Sequence, residues 1–380
     1  MTILKPRDAQ DLCAIIADAG ASGIKLELRG GGTKADFGAP RDATVVSLSA
    51  LSGVVHYDPA ELVLTVRPGT PLAEVQVLVA AEGQMLAFEP HGVQGATIGG
   101  IVASGVAGSR RVTAGSARDH LLGFAAVSGR GEAFVAGAKV VKNVTGYDLP
   151  KLMAGSWGRI GAMTELTLKI LPSPRMDVTL AAHGLSPRAG HAAMACALGS
   201  NADVSAAAHL ARGITLLRVA GFAPSVEARC TALPGLLRDH CALHRMDAAD
   251  AAPLWAEAMT GAALAGAVRW RVHLPPRLAP DLIERLQPLG IDWAFDWGGG
   301  HVWIALDNAG IAVREAAAAL GGEAMLVVAD PAMRAAVPAF QPRAAGLTAL
   351  EQRVRRAFDP LGTFATARFT EDADADQLSA

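Results

Sequence analysis

The sequence predicts an α+β protein of two domains, and three observations carry that expectation. Three glycine-rich segments in the first half each leave or enter a strand. The pair Pro172 and Pro174 punctuates the middle of the chain, and beyond it strands alternate with alanine-rich helices. At 380 residues the chain is longer than most single cores, which places the expected domains at residues 1–173 and 174–380.

In the first domain, residues 6–22 form an amphipathic helix with Leu12, Ile15, Ile16 and Ala19 at helical spacing. Lys25–Leu28 is a strand running into Arg29-Gly30-Gly31-Gly32-Thr33-Lys34, and Thr44–Leu48 is a β-branched strand. Val54–Tyr57 and Leu62–Val66 pair through a turn at Asp58-Pro59. Thr70 as N-cap and Pro71 in the first turn open a helix to Glu82. Residues 90–118, rich in Gly, Ser, Thr and Val, are expected as buried backbone wrapped around a guest. Strands return at Gly123–Ser128, Ala133–Val135, Lys139–Val141 and Met163–Ile170, the last alternating as MTELTLKI. In the second domain strands are expected near 176–182, 214–220, 268–274, 291–296 and 301–306, with a WGGG turn joining the last two. Helices cover 310–321 and 347–358, and the acidic tail from Glu371 frays.

Composition excludes several classes of function. Hydrophobic residues make up 51% and charged residues 18%, which a disordered chain does not show. The net charge of −2 lacks the basic surplus of a nucleic-acid binder. Cys13, Cys196, Cys230 and Cys241 form no CxxC pair, so neither an iron–sulfur cluster nor a zinc ribbon is expected, and scattered thiols fit a reducing cytoplasm. The first residues carry Lys5, Arg7, Asp8 and Asp11 and do not form a signal peptide. No run of uncharged apolar residues is long enough to span a membrane, so any membrane attachment is expected through a partner.

The chemistry sits in the glycine-rich segments. In Gly30-Gly31-Gly32-Thr33-Lys34 successive glycines let backbone N–H groups crowd around an anion, as a pyrophosphate requires. The segment is neither GxGxxG nor a P-loop, and an ordinary glycine turn is the competing reading. Gly95-Ala96-Thr97-Ile98-Gly99-Gly100, continuing to Ser104, puts bare backbone beside apolar residues. Such a loop can press on a flat ring while its amides bond the ring's polar edge; tight packing alone is the alternative. Gly155, Gly158 and Gly161 recur on the way into the strand at Ala162 and Met163, and Asn143, Tyr147 and Asp148 are either cofactor contacts or a turn network.

In order, RGGGTK, PGT at Pro68–Thr70, ATIGGIVASG, RDHLLGF at Arg118–Phe124, KNVTGYDLPKL and GSWGRIG resemble the FAD-binding domain of the vanillyl-alcohol-oxidase, or PCMH, type. KN-x-x-GYDLxKL and GSxGxxG bring the resemblance closest to the FAD-binding subunits of bacterial glycolate oxidases. The likeness covers roughly residues 25–175, with a looser echo in RRAFDPLGTF at Arg355–Phe364. It implies two α/β subdomains followed by a ferredoxin-like α+β cap. It also implies FAD, with its pyrophosphate on Gly30–Lys34 and its ring along the Ala96–Gly100 loop and the Gly158–Met163 segment. Non-covalent FAD is expected, since the flavin loops hold no Cys and only His91 and His120 are at hand. Expected partners are a paralogous catalytic flavoprotein subunit, an iron–sulfur subunit and a small 2-hydroxy-acid substrate. In this chain Ala365-Thr366-Ala367 stands where relatives carry Asn-Pro-Gly, and a His-rich substrate element is reduced to Trp297-Gly298-Gly299-Gly300-His301, too few ligands for a metal site.

The catalytic candidates are Arg269, Arg271 and His273, which alternate along one strand and share a face. Two guanidiniums and an imidazole can clamp a carboxylate and supply a base; a solvated basic stripe is the competing reading. Three functions follow: an FAD-binding subunit of a glycolate oxidase complex, a self-sufficient D-2-hydroxy-acid dehydrogenase such as one for D-lactate, or a structural flavin-fold subunit. Tryptophans 255, 270, 293, 297 and 303 cluster in the second half, where they serve either a core or a subunit interface.

Overall fold

Asp8 caps a helix at Ala9–Ala21 by accepting the Asp11 amide at 2.8 Å, and the helix buries Leu12, Ile16 and Ala19. That stripe packs with Leu26, Val46 and Leu48. It thereby covers a parallel sheet in which β1 (Ile3–Leu4) and β2 (Leu26–Arg29) flank β3 (Thr44–Ser47). A second, antiparallel sheet runs in the order β4 (Val54–Asp58), β5 (Val63–Val66), β9 (Ala162–Pro172), β7 (Leu121–Val127), β8 (Ala133–Gly137), with β6 (Gln84–Leu86) also on β9. The alternation of β9 sends Leu166, Leu168 and Ile170 into a core shared with Val75, Val79, Ile98 and Ile101. The computed structural model describes residues 3–91, 94–137, 147–307 and 310–369. The strand expected at Lys139–Val141, Asn143 and the tail from Glu371 lie outside them.

Thr70 is not the helix cap expected of it. The helix spans Leu72–Ala81 with Pro71 at the cap position. The Thr70 hydroxyl instead donates to Arg67 O at 2.7 Å and accepts the Gly53 amide at 3.0 Å. The segment around residues 94–120, expected as buried backbone, forms short helices at Ile98–Ser104, Arg111–Ala114 and Ala117–His120.

The chain divides into two compact units, Met1–Ala107 with Gly115–Pro172 and Pro342–Ala380, and Gly108–Ala114 with Ser173–Gln341. The break after Pro172 lies beside the expected boundary. The assignment of everything from 174 onward to a second domain is corrected: the chain from Pro342 returns to the first unit. The reason is a polar knot around Asp359. Its buried carboxylate accepts the amides of Thr363 (2.8 Å) and Phe364 (2.7 Å), Lys25 donates to Gly362 O (2.9 Å), and Leu26 donates to Thr363 O (2.8 Å). Phe364 thereby enters the core beneath the first helix. Charge-assisted bonds of this kind contribute about 1.5–3 kcal/mol each. Asp359→Ala is therefore expected to destabilise the first unit by about 3 kcal/mol in urea unfolding, with a smaller effect for Asp359→Asn.

The second unit is an antiparallel eight-stranded sheet. Its first half runs β10 (Met176–Ala182), helix Pro187–Leu198, β11 (Ala206–Leu210), β12 (Ile214–Gly221), helix Ala223–Leu236, β13 (His244–Met246). Its second half repeats the pattern as β14 (Val268–His273), helix Ala279–Leu286, β15 (Asp292–Asp296), β16 (His301–Leu306), helix Ile311–Ala319, β17 (Glu323–Val328). The spatial order β13-β10-β12-β11-β15-β16-β14-β17 makes each half a βαββαβ unit of ferredoxin-like order, joined where β11 pairs β15. The expected ferredoxin-like element is thus present twice. Strands β11, β13 and β17 go beyond those expected. Trp270 and Trp303 are fully buried and Trp255 and Trp293 nearly so, which makes them core residues and removes them from the interface reading.

Candidate functional site

The end of β2 delivers Arg29 into the Gly30–Lys34 loop, and this loop forms one wall of a cleft of about 530 Å³. Facing it are Ala96, Thr97, Gly100, Ile101, Ala103 and Ser104, with Trp157 and Arg368 closing the sides. A contiguous space of about 430 Å³ shares Gly30, Gly100, Ala103 and Trp157 and continues past Leu48, Pro68 and Gly99 to Gly158, Gly161 and Met163.

The glycines here are dictated by space. A Cβ on Gly30 would overlap the Thr97 hydroxyl, and one on Gly31 would overlap the Gly95 carbonyl oxygen. A Cβ on Gly99 would lie 2.5 Å from the Pro68 ring and 2.8 Å from its carbonyl oxygen. The two loops therefore approach backbone to backbone. The amides of Gly31, Gly32 and Thr33 donate to no acceptor among the described residues, and Gly32 at φ +74° turns the loop back on itself. The result is a concave set of open N–H groups, the geometry that receives an anion.

Two arginines hold the stretch that follows. Arg41 donates to Ala35 O (3.0 Å) and Ala39 O (3.2 Å), and Arg368 donates to Phe37 O (2.9 Å) and Lys34 O. Arg41 is itself seated on Glu27 through two bonds of 2.6 Å, and Arg29 adds a third at 3.0 Å. Burial raises the Glu27 carboxyl, but the two arginines outweigh it and hold the group below its ordinary 4.5. A depressed carboxyl stabilises the fold above its unfolded pKa, and the contribution is lost as pH falls through the folded value. Acidification below about pH 4.5 is therefore expected to loosen the glycine loop before the rest of the first unit. Glu27→Gln should flatten that acid limb when ligand release is followed against pH.

Of the residues expected at this site, Gly30, Gly31, Gly32, Thr33, Lys34, Ala96, Thr97, Gly100 and Ser104 line the first cleft, and Gly99, Gly158, Gly161 and Met163 line the second. Gly95, Ile98 and Ala162 line neither. Gly95 backs the loop at φ +84°, Ile98 is buried among Leu166 and Val75, and Ala162 pairs Val127 in the sheet. Of the Ala96–Gly100 amides expected at a ring edge, three are engaged within the protein. Ile98 donates to Thr70 O and Gly99 to Pro68 O, both at 2.9 Å, and Gly100 donates to the Thr97 hydroxyl at 3.3 Å. Only Ala96 and Thr97 keep amides without an acceptor among the described residues. Tyr147 is 93% exposed and Asp148 pairs with Lys151, so neither lines the clefts. His91 and His120 also lie off both linings.

Trp157 and Arg368 are the additions that sequence reasoning missed. Trp157 stands at φ +58°, uncommon for a bulky residue, held by its amide on Ala103 O at 2.8 Å. Its ring stacks on Phe37 at 4.6 Å and meets Phe369 edge-on at 5.9 Å.

In the second unit, β14 presents Arg269, Arg271 and His273 to one face as expected, but only two of them converge. Arg269 reaches back to Ala262 O. Arg271, 5% exposed, donates from Nε to His301 Nε2 at 3.0 Å and lies over the Trp297 ring at 5.2 Å. Its two Nη groups have no acceptor among the described residues. His273 stacks on Trp297 at 5.1 Å and meets His301 edge-on at 5.4 Å. His301 turns Nδ1 toward the buried Asp296 carboxylate, 4.0 Å away, which accepts from Ser109 Oγ (2.9 Å) and the Trp297 amide (2.8 Å). Arg111 lies over the same Trp297 ring at 5.9 Å. Burial pulls Arg271 down to about 10 and His273 to about 3, the latter helped by Arg271 and Arg111. Arg271 is thus a cation at neutral pH, while His273 is neutral and a weak proton acceptor.

Residues 2–137 match the family model for an FAD binding domain. That stretch falls largely within the first unit. The chain is 44% identical over 156 residues to glycolate oxidase subunit GlcE of Escherichia coli, covering 41% of this chain and 45% of that one. It is 29% identical over 182 residues to glycolate oxidase subunit GlcD of Bacillus subtilis (47% and 39%) and 31% identical over 182 residues to a D-lactate dehydrogenase of Archaeoglobus fulgidus (47% and 40%). The match thus spans less than half the length of these relatives. An alkyldihydroxyacetonephosphate synthase structure shares the fold at a TM-score of 0.67 and 13% identity, over 95% of this chain and 76% of that one. The open amides of Gly31–Thr33 and the collisions at Gly30 and Gly31 fit FAD, whose pyrophosphate needs such a cradle. Among the described residues, no helix is long and apolar enough to cross a membrane, and no group of three or more His, Cys, Asp or Glu side chains could hold a metal.

Proposed function

We propose that this chain is the FAD-binding subunit of a glycolate-oxidase-type complex that oxidises a small 2-hydroxy acid such as glycolate. The observation that carries the reading is the set of open amides at Gly31, Gly32 and Thr33 lining the first cleft, in a chain that is 44% identical over 156 residues to a glycolate oxidase subunit. Gly30–Lys34 hold the pyrophosphate. Ala96, Thr97, Gly99, Gly100, Ser104, Gly158, Gly161 and Met163 bound the rest of the cofactor, with Gly95, Ile98 and Ala162 supporting from behind. The hold is non-covalent, in keeping with His91 and His120 lying off both clefts. When bound, the flavin accepts two electrons with the hydride of an alcohol carbon. A paralogous flavoprotein subunit and an iron–sulfur subunit complete the path from substrate to acceptor. The chain is cytoplasmic, and any membrane association is through those partners.

A second reading rests on Arg271. A guanidinium only 5% exposed, with both Nη groups lacking an acceptor, beside Arg111, His273 and His301, is suited to a carboxylate, which it would bind in a two-pronged pair. In that reading the chain itself binds the 2-hydroxy acid, while Arg269 is turned to Ala262 O. A neutral His273 would donate or accept one hydrogen bond from the substrate without removing its proton.

The deciding experiment is an absorption spectrum of the purified chain supplied with FAD, followed by anaerobic glycolate and D-lactate. A flavin band that denaturation releases and that substrate leaves coloured supports the subunit reading. Bleaching by either acid supports the second. A chain that takes up no FAD sinks both.

A further inference from the structure

We infer that Arg368 is a positioning residue of the cofactor site: a latch that fastens the glycine loop in the shape its ligand needs. The inference rests on the FAD-binding reading of the first cleft.

The loop Gly30–Thr33 gains nothing from secondary structure. Its open amides converge only while the following turn, Lys34–Phe37, stays in place. Within that turn Ala35 donates to Gly32 O at 3.0 Å and Phe37 to Lys34 O at 3.2 Å, and Arg41 donates to Ala35 O in its middle. Arg368 adds what they lack. One planar guanidinium donates from Nε to Phe37 O and from Nη2 to Lys34 O, joining both ends of the turn across more than 330 residues of chain.

The latch is itself anchored. Its guanidinium lies 5.3 Å over Trp157, 6.0 Å over Phe37 and 5.6 Å over Phe369, within cation–π range of three rings that pack on one another. Gly38 completes the contact: a Cβ there would lie 2.6 Å from the Arg368 carbonyl oxygen. Arg368 and Trp157 also line the first cleft directly, so the turn, the latch and the platform are parts of one wall. The Asp359 knot explains why this segment lies here, since fixing Thr363 and Phe364 leaves Arg368 only a short step of chain in which to reach the loop.

The substitutions Arg368→Ala and Arg368→Lys test this, with Arg130→Ala as the control. Arg130 also tethers the same segment, through Ala357 O at 2.9 Å, but does not line the cleft. Two readings are taken: the FAD dissociation constant by fluorescence titration, and the 31P shifts of the bound pyrophosphate at saturating FAD. Arg368→Ala is expected to weaken FAD at least 20-fold and to move the 31P resonances. Arg368→Lys, which keeps the charge but cannot span both carbonyls, is expected to stay at least fivefold weak with shifted resonances, and Arg130→Ala to remain within threefold of the parent. The inference is overturned if Arg368→Lys binds like the parent with unmoved resonances, or if Arg130→Ala weakens FAD as much as Arg368→Ala. It is overturned equally if Arg368→Ala folds and binds normally. Failure of the parent chain itself to bind FAD would instead strike the proposed function.

Discussion

Gly31→Ala is expected to weaken FAD binding about 100-fold, close to 2.7 kcal/mol. The argument is steric. Gly31 is not in the left-handed region, so alanine meets no torsional barrier there. The obstacle is the Gly95 carbonyl oxygen, which the new methyl would overlap. A side chain could rotate away, but this neighbour is backbone, in a segment tied to the Pro68–Leu72 chain through Ala96 O and Thr70 O. The loops must therefore separate, and the amides of Gly31, Gly32 and Thr33 lose their common focus. Gly23 supplies the comparison. It sits at φ +68° with nothing within 4 Å of where a methyl would stand, so Gly23→Ala should cost about 1 kcal/mol of stability through torsion alone. Its effect on FAD should be negligible. Equilibrium titration of both variants with FAD reads the difference, and equal affinities for Gly31→Ala and the parent would mean that the loops do not hold the cofactor between them.

How much of this was legible in the sequence follows from the range of each interaction. The glycine loops were legible because bare backbone beside a strand is a local pattern, and the clefts are built from those segments. Strands such as β9, β14 and β16 were legible because their apolar alternation or β-branched content is strong. Strand β11, Ala206–Leu210, was not: its AAAHL carries no β-branched residue and is a strand only because β12 and β15 pair with it on both sides. Arg368 and Trp157 mark the same limit within the site. Nothing local to Arg368 points toward a loop more than 330 residues earlier, and Trp157 in GSWGRIG looks like any core tryptophan until Phe37 is stacked on it. The duplication of the βαββαβ unit was hidden for a related reason. The two halves share an order of elements while their sequences carry no common motif, and only the pairing of β11 with β15 makes the two sheets one.

On the second reading, in which this chain binds the 2-hydroxy acid, Arg271→Met is expected to raise the stability of the second unit by about 1 kcal/mol while abolishing any response to glycolate. At neutral pH Arg271 is ionised although burial has lowered its pKa from 12.5 to about 10. The unfolded chain binds that proton more tightly than the folded one, so the buried charge costs stability, a cost relieved only as pH rises above about 10. Against it stand one bond to His301 and the faces of Trp297 and Trp303 at 5.2 and 6.0 Å. The Asp296 carboxylate, which accepts from Ser109 and the Trp297 amide, acts on Arg271 through space. An apolar side chain of similar length replaces such a cation with little or no loss. A structural arginine would behave in the opposite way, since its removal strands its partners and costs about 3–5 kcal/mol. Urea unfolding with and without glycolate separates the two. A steadier fold that no longer gains from glycolate marks a guanidinium kept for its ligand, because a residue retained against stability needs another reason to be there. A fall of about 2 kcal/mol or more, with the glycolate response intact, would make the cluster around Trp297 a scaffold and leave carboxylate recognition to the partner subunit.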